Sequence, residues 1–156
     1  MKHIKAIMAS VLGLLLVTYL VAGFYILYGI THLERKPLVA TPADFGLNFE
    51  EISFTPRDDS FKLQGWLIKS SADVKETIIF VHGIGTNRVS NSNTLKIASD
   101  LTNQGFNILM FDLRASGVSE GSFFTASLWE RKDVLGAFDF LVEQRHFSSD
   151  SIGILG

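Results

Sequence analysis

From Ala6 to Ile30 the chain runs for 25 residues without a charge. As a helix rising 1.5 Å per residue, such a run exceeds the ~30 Å hydrocarbon core of a bilayer. A stretch of this length with no polar face does not fit a core helix of a soluble domain. It predicts one transmembrane anchor, with Tyr19, Tyr25 and Tyr28 available to the interfaces. A cleaved secretory signal is the competing reading, because Met1 to Lys5 make a basic start and Ala22 and Gly23 are small enough to mark a cut. Length favours the anchor, since the apolar part of a signal normally runs only about 7–15 residues. Lys2 and Lys5 precede the segment while Arg35 and Lys36 follow it, so the positive-inside count is nearly tied. The expectation is a single-pass protein that meets the bilayer through residues 6–30 and holds its folded domain outside the cytoplasm.

The residues left to fold in water amount to one small domain. A hydrophobic content of 47% with thirteen Phe supplies a core and excludes a disordered chain. With Lys2 and Lys5 set aside, twelve Lys+Arg face sixteen Asp+Glu, signs interspersed, which leaves no footprint for nucleic acid. There is no Cys, so disulfides, thiolate metal sites and a cysteine nucleophile are excluded. His3, His32 and His146 are isolated and lack metal-ligand spacing. No metal or cofactor is expected.

Residues 31–46, with Pro37, Pro42 and Gly46 and no apolar periodicity, read as a juxtamembrane linker. In the domain that follows, 47–156, Leu47 and Phe49 alternate in one phase and Ile52 and Phe54 in the other. This predicts a strand with a bulge near Glu50. Pro56 to Ser60 is a turn, with Asp58 and Asp59 as turn residues, and Phe61 to Lys69 is the second arm of a hairpin. Thr77–Val81 is an unbroken β-branched and aromatic run, expected for a strand covered on both faces. Leu95, Ala98 and Leu101 then recur at helical spacing, with Gly105 as the cap. Asn107–Phe111 is a second buried strand. Ser127 to Glu130 has the capping-box pattern at the head of a helix whose apolar face is Val134, Leu135, Phe138, Leu141 and Val142. Ser151–Leu155 starts a third buried strand. A hairpin followed by strand, helix, strand, helix, strand predicts an α/β domain with parallel strands and covering helices. Trp66 and Trp129 read as packing residues.

Ligands of such sheets bind at the carboxyl ends of the strands, so the residues after Val81, Phe111 and Leu155 are the ones to weigh. His82 to Arg88 follow the first strand, Asp112 to Ser119 the second, and only Gly156 the third. Acyl transfer needs N–H donors aimed at a developing oxyanion, and a glycine-containing turn lets backbone come close. Gly117-Val118-Ser119-Glu120-Gly121 satisfies G-x-S-x-G, yet Ser119 lies well past its strand and before the next helix, unlike a nucleophile elbow. Asp112 and Arg114, at a strand end, read as a loop-organising ion pair. Gly83-Ile84-Gly85 after a strand, with Asp112 ending the next, also admits a nucleotide-binding oxidoreductase, although Arg88 occupies the third glycine position of that fingerprint. A non-catalytic, membrane-tethered binding protein is the third reading.

Taken together, these segments resemble the α/β-hydrolase superfamily, in its branch of lipase, esterase and serine-aminopeptidase-like proteins. Asp59-Ser60-Phe61-Lys62-Leu63-Gln64-Gly65-Trp66 is similar to the family's early hairpin. His82-Gly83 resembles its HG oxyanion motif. Asp112 to Ser119 resembles its D-x-R-G-x-G-x-S loop, with Ala115 where the family has Gly. Glu130 to Ala137 resembles the helix before the nucleophile strand in bacterial members with an N-terminal anchor. Ile152-Gly153-Ile154-Leu155-Gly156 looks like that strand with the first glycine of G-x-S-x-G. The resemblance implies the N-terminal half of an α/β-hydrolase fold and a serine hydrolase acting on ester, thioester or amide bonds of a small acyl substrate. It gives the backbone N–H of Ile84 an oxyanion-hole role, with His82, Gly83 and Gly85 supporting that loop and Asp112, Arg114 and Gly117 organising the next. The serine is then expected two positions after Gly156, and the catalytic acid and histidine later still, so these 156 residues are expected to be inactive alone.

Overall fold

The computed structural model describes residues 2–72, 76–89 and 92–156, so Met1 of the expected basic start lies outside the described residues. It divides into two compact units, 1–32 and 33–156. The first is a single helix, α1 (Lys2–Thr31), long and apolar enough to cross a membrane and with no residue buried. The hydroxyls of Thr18 and Thr31 donate to the carbonyls of Leu14 and Leu27 one turn back. Both polar groups are thereby satisfied within the helix, as an apolar solvent requires.

The second unit is a five-stranded sheet with helices on both faces. Its strands are β1 (Phe49–Phe54), β2 (Leu63–Ile68), β3 (Thr77–Phe80), β4 (Asn107–Phe111) and β5 (Ile152–Leu155), in the order β1-β2-β4-β3-β5. β1 and β2 form the antiparallel hairpin, β2 runs antiparallel to β4, and β4, β3 and β5 are parallel. α2 (Ser92–Asn103) and α3 (Glu130–Asp139) are the crossovers, α3 continuing as a π-helical turn over Phe140–Gln144.

Period-two alternation divides the core between the faces. Leu63, Leu67, Leu109 and Phe111 join Ala137, Phe140 and Leu141 on the α3 side. Trp66, Ile68, Ile108 and Met110 join Leu95 and Ala98 on the α2 side. Each such fully buried aliphatic side chain contributes on the order of 1.5–3 kcal/mol. α2 ends where the Phe106 N–H reaches back to the Leu101 carbonyl (3.1 Å) across Gly105, whose φ of +108° only glycine adopts freely.

Three expectations need correction. β1 contains no bulge: it pairs with β2 in unbroken register from Phe49↔Ile68 to Phe54↔Leu63. The phase change arises because both faces of β1 are covered, Leu47 and Phe49 packing on the α2-side core and Ile52 and Phe54 on the α3-side core. β5 is not buried, and Ile154 is 63% exposed, because β3 is its sole neighbour among the described strands. α3 begins at Glu130 and not after Ser127, whose φ of +83° is incompatible with a helical start. Only half of the capping box forms: the Glu130 carboxylate accepts the N–H of Ser127 (2.8 Å) and of Thr125 (2.8 Å), while the Thr125 hydroxyl accepts the Trp129 N–H (2.9 Å).

Of the segment read above as a linker, 31–46, residues 33–46 belong to the sheet-containing unit, where Leu38 and Ala40 pack, with Leu47 just after them, against the α2-side core. A 3-10 turn at Pro42–Phe45 lies within this segment.

Candidate active site at the carboxyl edge of the sheet

β3, β4 and β5 are parallel, so the segments that follow them leave the sheet at one edge. Gly156 stands beside the start of the β3 turn, where an added Cβ would meet the Val81 carbonyl at 3.4 Å. The Val81 N–H donates to the Leu155 carbonyl (2.8 Å), which extends the β3–β5 ladder to this point.

In the β3 turn, His82 is buried and its ring bridges two segments. Its Nε2 accepts the Leu113 N–H (3.0 Å), and its Nδ1 lies 2.8 Å from the Gly83 carbonyl. With Nε2 accepting, the proton resides on Nδ1, which donates to Gly83. The hydroxyl of Thr86 donates to the same carbonyl (2.7 Å). Burial pushes the His82 pKa down, against a smaller upward pull from the Gly83 bond and Asp112, which favours this neutral tautomer. Two donors thus fix the Gly83 carbonyl. In a planar trans peptide the next N–H points the opposite way, and no peptide bond here is cis. The Ile84 N–H is therefore directed away from His82 and Thr86, and it has no partner among the described residues. Gly85, at φ +67°, completes the turn. Beside it lies an open cavity of about 350 Å³, lined by Ile84, Val81, Leu113, Phe124, Val134 and neighbouring residues.

The loop after β4 holds this turn from below. Asp112 is fully buried; its Oδ1 accepts the Arg88 N–H (2.8 Å), its Oδ2 accepts the Val118 N–H (3.0 Å), and the Arg88 guanidinium stands 3.3 Å away. Gly117 is required here twice over, by its φ of +46° and because a Cβ would stand 2.1 Å from Asp112 Oδ2. The expected pairing of Asp112 with Arg114 does not occur. The chain turns at Leu113–Ser116, and the two side chains go to different neighbours. Arg114 grips Asp133 of α3 through Nη2 (2.6 Å), Nε (3.0 Å) and its own backbone N–H (2.9 Å). Burial raises the Asp133 pKa, opposed by those bonds.

Ser119 is buried as well, its hydroxyl donating to the Asp112 carbonyl (2.6 Å) and accepting the Gln64 N–H (2.9 Å). Such a hydroxyl is committed to joining β2 and β4 and is not presented to a substrate. Asp112, saturated by Arg88 and Val118, is likewise not available to a ribose. α2 starts at Ser92, seven residues past Gly85, instead of opening from the glycines as a dinucleotide fingerprint requires.

Several residues of this edge went unassigned in the sequence. Arg88 entered only as a break in a glycine pattern, yet it is buried, stacks 4.4 Å above the Trp66 ring and has no partner for Nε and Nη1 among the described residues. Trp66 in turn donates its indole N–H to Glu51 (3.2 Å). Asp133 had a readable signal: it lies on the helical face shared by Glu130, Ala137 and Phe140, where an acid is costly unless paired. Arg35 had none. Its guanidinium donates to the carbonyls of Gly117 (3.3 Å), Gly121 (2.6 Å) and Ser119. Asn87 donates to the carbonyls of Lys36 (2.9 Å) and Pro37 (3.0 Å), so residues 35–37 strap both loops together.

A larger polar depression of about 580 Å³ lies between residues 55–60 and α3, but its principal feature is the Arg57–Asp139 ion pair (2.5 Å). Among the described residues no group of three or more His, Cys, Asp or Glu stands in metal-binding reach.

Comparison of the whole chain with solved structures matches this architecture. The Pyrococcus furiosus esterase Pf2001 aligns with a TM-score of 0.72 at 28% identity, over 81% of this chain and 46% of its own. The chain has the α/β-hydrolase fold. A serine hydrolase without lid from Xanthomonas campestris, at 20% identity and a TM-score of 0.56, shares the fold alone. Among curated proteins, YfhR of Escherichia coli K12, itself uncharacterized, is 37% identical over 83 residues. YfhR of Salmonella typhimurium is 30% identical over 127 residues. The chain spans 28% and 40% of the length of these two relatives. No family model matches it. The α/β-hydrolase neighbours support a hydrolase-type function.

Proposed function

We propose that this chain supplies the oxyanion side of a membrane-tethered serine hydrolase that cleaves an ester, thioester or amide through an acyl-enzyme. The observation that carries the reading is the Gly83–Ile84 peptide. Its carbonyl is held by His82 and Thr86, which orients the Ile84 N–H, and that N–H has no partner among the described residues. A fixed donor of this kind costs no reorganisation as charge develops on the carbonyl oxygen under attack, and one such donor is worth about 10²–10³ in rate. The nucleophile belongs on the turn after β5, next to Val81, where the oxygen of a bound acyl group can meet both the serine and Ile84. On this reading, by the G-x-S-x-G pattern that Gly156 would open, the serine lies two positions after Gly156, with the acid and the base later still. The reaction requires no cofactor. α1 is read as a retained anchor with the catalytic unit outside the cytoplasm.

The test is covalent labelling. The gene is read past the Gly156 codon, and the protein it encodes is treated with a fluorophosphonate probe. Labelling is expected at a serine two positions after Gly156, and none at Ser119. A continuation without x-S-x-G, or labelling of Ser119, overturns the reading.

A further inference from the structure

Residues 33–37 form neither helix nor strand, yet they touch both loops of the candidate site. Leu33 lies over the β3 turn: its Cδ1 stands 3.6 Å from where a Cβ on Gly85 would be, one residue past Ile84. Asn87, only 2% exposed, donates from its side-chain nitrogen to the carbonyls of Lys36 (2.9 Å) and Pro37 (3.0 Å), while its Oδ1 accepts the Val89 N–H (2.8 Å). Arg35 hooks the other loop. Its Nη1 donates to the carbonyls of Gly117 (3.3 Å) and Ser119, and its Nη2 to that of Gly121 (2.6 Å). Leu38 and Ala40 then seat the following residues on the α2-side core.

Two features set this arrangement apart from an incidental surface contact. Alternate residues of one loop, 117, 119 and 121, present their carbonyls to a single guanidinium. A planar fork of donors can hold all three at once, which the point charge of an ammonium cannot. The bonds also close a ring. It runs from the β3 turn through Asn87 to residues 36 and 37, through Arg35 to the β4 loop, and through Asp112 back to the Arg88 N–H (2.8 Å). The residues around Ile84 are thus held by His82 before them, by Arg88 after them and by the strap at Gly85 and Asn87 between. Each exposed hydrogen bond adds only about 0.5–1.5 kcal/mol to stability. Orientation is far more sensitive, since a misplacement of about 1 Å at a reacting centre costs on the order of 10²-fold in rate. Loss of the strap should therefore be felt in the direction of a backbone donor before it is felt in the fold.

We propose that residues 33–37 are a clamp on the oxyanion turn, with Arg35 and Asn87 as positioning residues that fix the Ile84 peptide, so that opening the clamp lowers turnover while the fold and substrate binding are kept. The effect on turnover rests on the reading of the Ile84 N–H as an oxyanion donor. The ordering of the β3 turn by the clamp does not, and it is measured separately.

The test compares Arg35→Met and Arg35→Lys with the unmodified protein that the gene encodes. Arg35 is exposed, so water can replace the lost donor and the variants should fold. In both, amide hydrogen exchange of residues 82–89 is expected to quicken by about 10-fold, with the amides of β2 and β4 and the urea midpoint unchanged. Towards a p-nitrophenyl ester, kcat is expected to fall by about 10-fold, short of the 10²–10³ for losing an oxyanion donor outright. KM should stay within about twofold, the mark of an interaction made in the transition state alone. Unchanged exchange in Arg35→Met overturns the proposal, since the turn would then be ordered without the strap. Faster exchange with an unchanged kcat also overturns it, because the strap would then hold the loop and position nothing. Full recovery in Arg35→Lys does the same, as one ammonium would be replacing the three-carbonyl hook. A protein that cleaves no ester, yet shows the expected change in exchange, removes the oxyanion reading and keeps the clamp.

Discussion

The turn after β3 and the loop after β4 leave the sheet side by side, and each is fastened by a buried carboxylate–guanidinium contact, yet the two are built to different ends. In the β4 loop every strong group is spent on holding the loop. Arg114 is gripped by Asp133 through several bonds, Ser119 joins two strands, and the Glu120 carboxylate accepts the Lys62 N–H (2.7 Å). In the β3 turn the fastening is indirect. His82 and Arg88 reach out to the β4 loop, and among the described residues two donors of the Arg88 guanidinium and the Ile84 N–H have no partner. One loop is a frame and the other hangs from it. That division lets a backbone donor remain uncommitted without the turn collapsing, because the cost of ordering it is borne by the neighbour's hydrogen bonds.

The contrast breaks most visibly if the frame is cut. Arg114→Met leaves Asp133 buried without its cation, and stability should fall by about 3–5 kcal/mol, the range for removing one partner of a buried pair. Urea unfolding followed by Trp66 emission measures it. The penalty should also depend on pH with a definite sign. A carboxyl whose pKa is raised on folding stabilises most below its unfolded value of 3.8 and loses that contribution as pH rises through the folded value. The Arg114→Met deficit should therefore be smallest near pH 4 and grow towards neutrality. A deficit independent of pH would show that Asp133 does not bear the cost.

Arg88→Met cuts the corresponding contact of the hanging turn and should cost less, about 1–2 kcal/mol. Asp112 keeps the backbone N–H groups of residues 88 and 118, and two unsatisfied donors are removed along with the charge. A loss equal to that of Arg114→Met would erase the distinction drawn between the two loops. His82 sharpens the same point through pH alone. Burial depresses its pKa from 6.5, so the unfolded chain binds the proton first. Stability should hold above pH 6.5 and decline as pH falls below it, since the imidazolium cannot accept the Leu113 N–H. His82→Gln, which retains an acceptor, should abolish that decline. An unchanged decline in the variant would assign the titration elsewhere.

What the sequence disclosed and what it hid follow one line. Groups whose behaviour depends on near neighbours along the chain were legible: the buried run of β4, the periodicity of α2, the glycine that caps it, and the order of strands and helices. Groups whose behaviour depends on distant partners were not. The two phases of β1 suggested a bulge because a strand is normally expected to cover one core, and here it covers two. Asp112 and Arg114, two residues apart, suggested each other, but the fold supplied Arg88 and Asp133. Arg35 sat in a segment with no periodicity, and bonds from a side chain to three backbone carbonyls leave no pattern to read. The candidate site was legible as a place, the strand ends, and as a glycine-containing turn. The hydrogen bonds that orient that turn come from the fold.

Ala115 is where the two kinds of information meet, and it carries the smallest effect. The sequence marks it as a departure from a glycine in a loop pattern, and the fold holds it at φ +56°, the left-handed region that glycine occupies freely. An L-residue there pays roughly 1–2 kcal/mol, while glycine carries a larger entropy loss on folding of about 0.5–1 kcal/mol. Ala115→Gly should then raise stability by up to about 1 kcal/mol, read as a small upward shift of the urea midpoint with an unchanged slope. The backbone N–H of residue 115 also donates to the Glu120 carbonyl (3.0 Å), so relief of strain at this position should tighten the frame without touching the β3 turn. A destabilised variant would mean that the alanine methyl contributes packing that outweighs the strain, and that the departure from glycine serves the frame instead of burdening it.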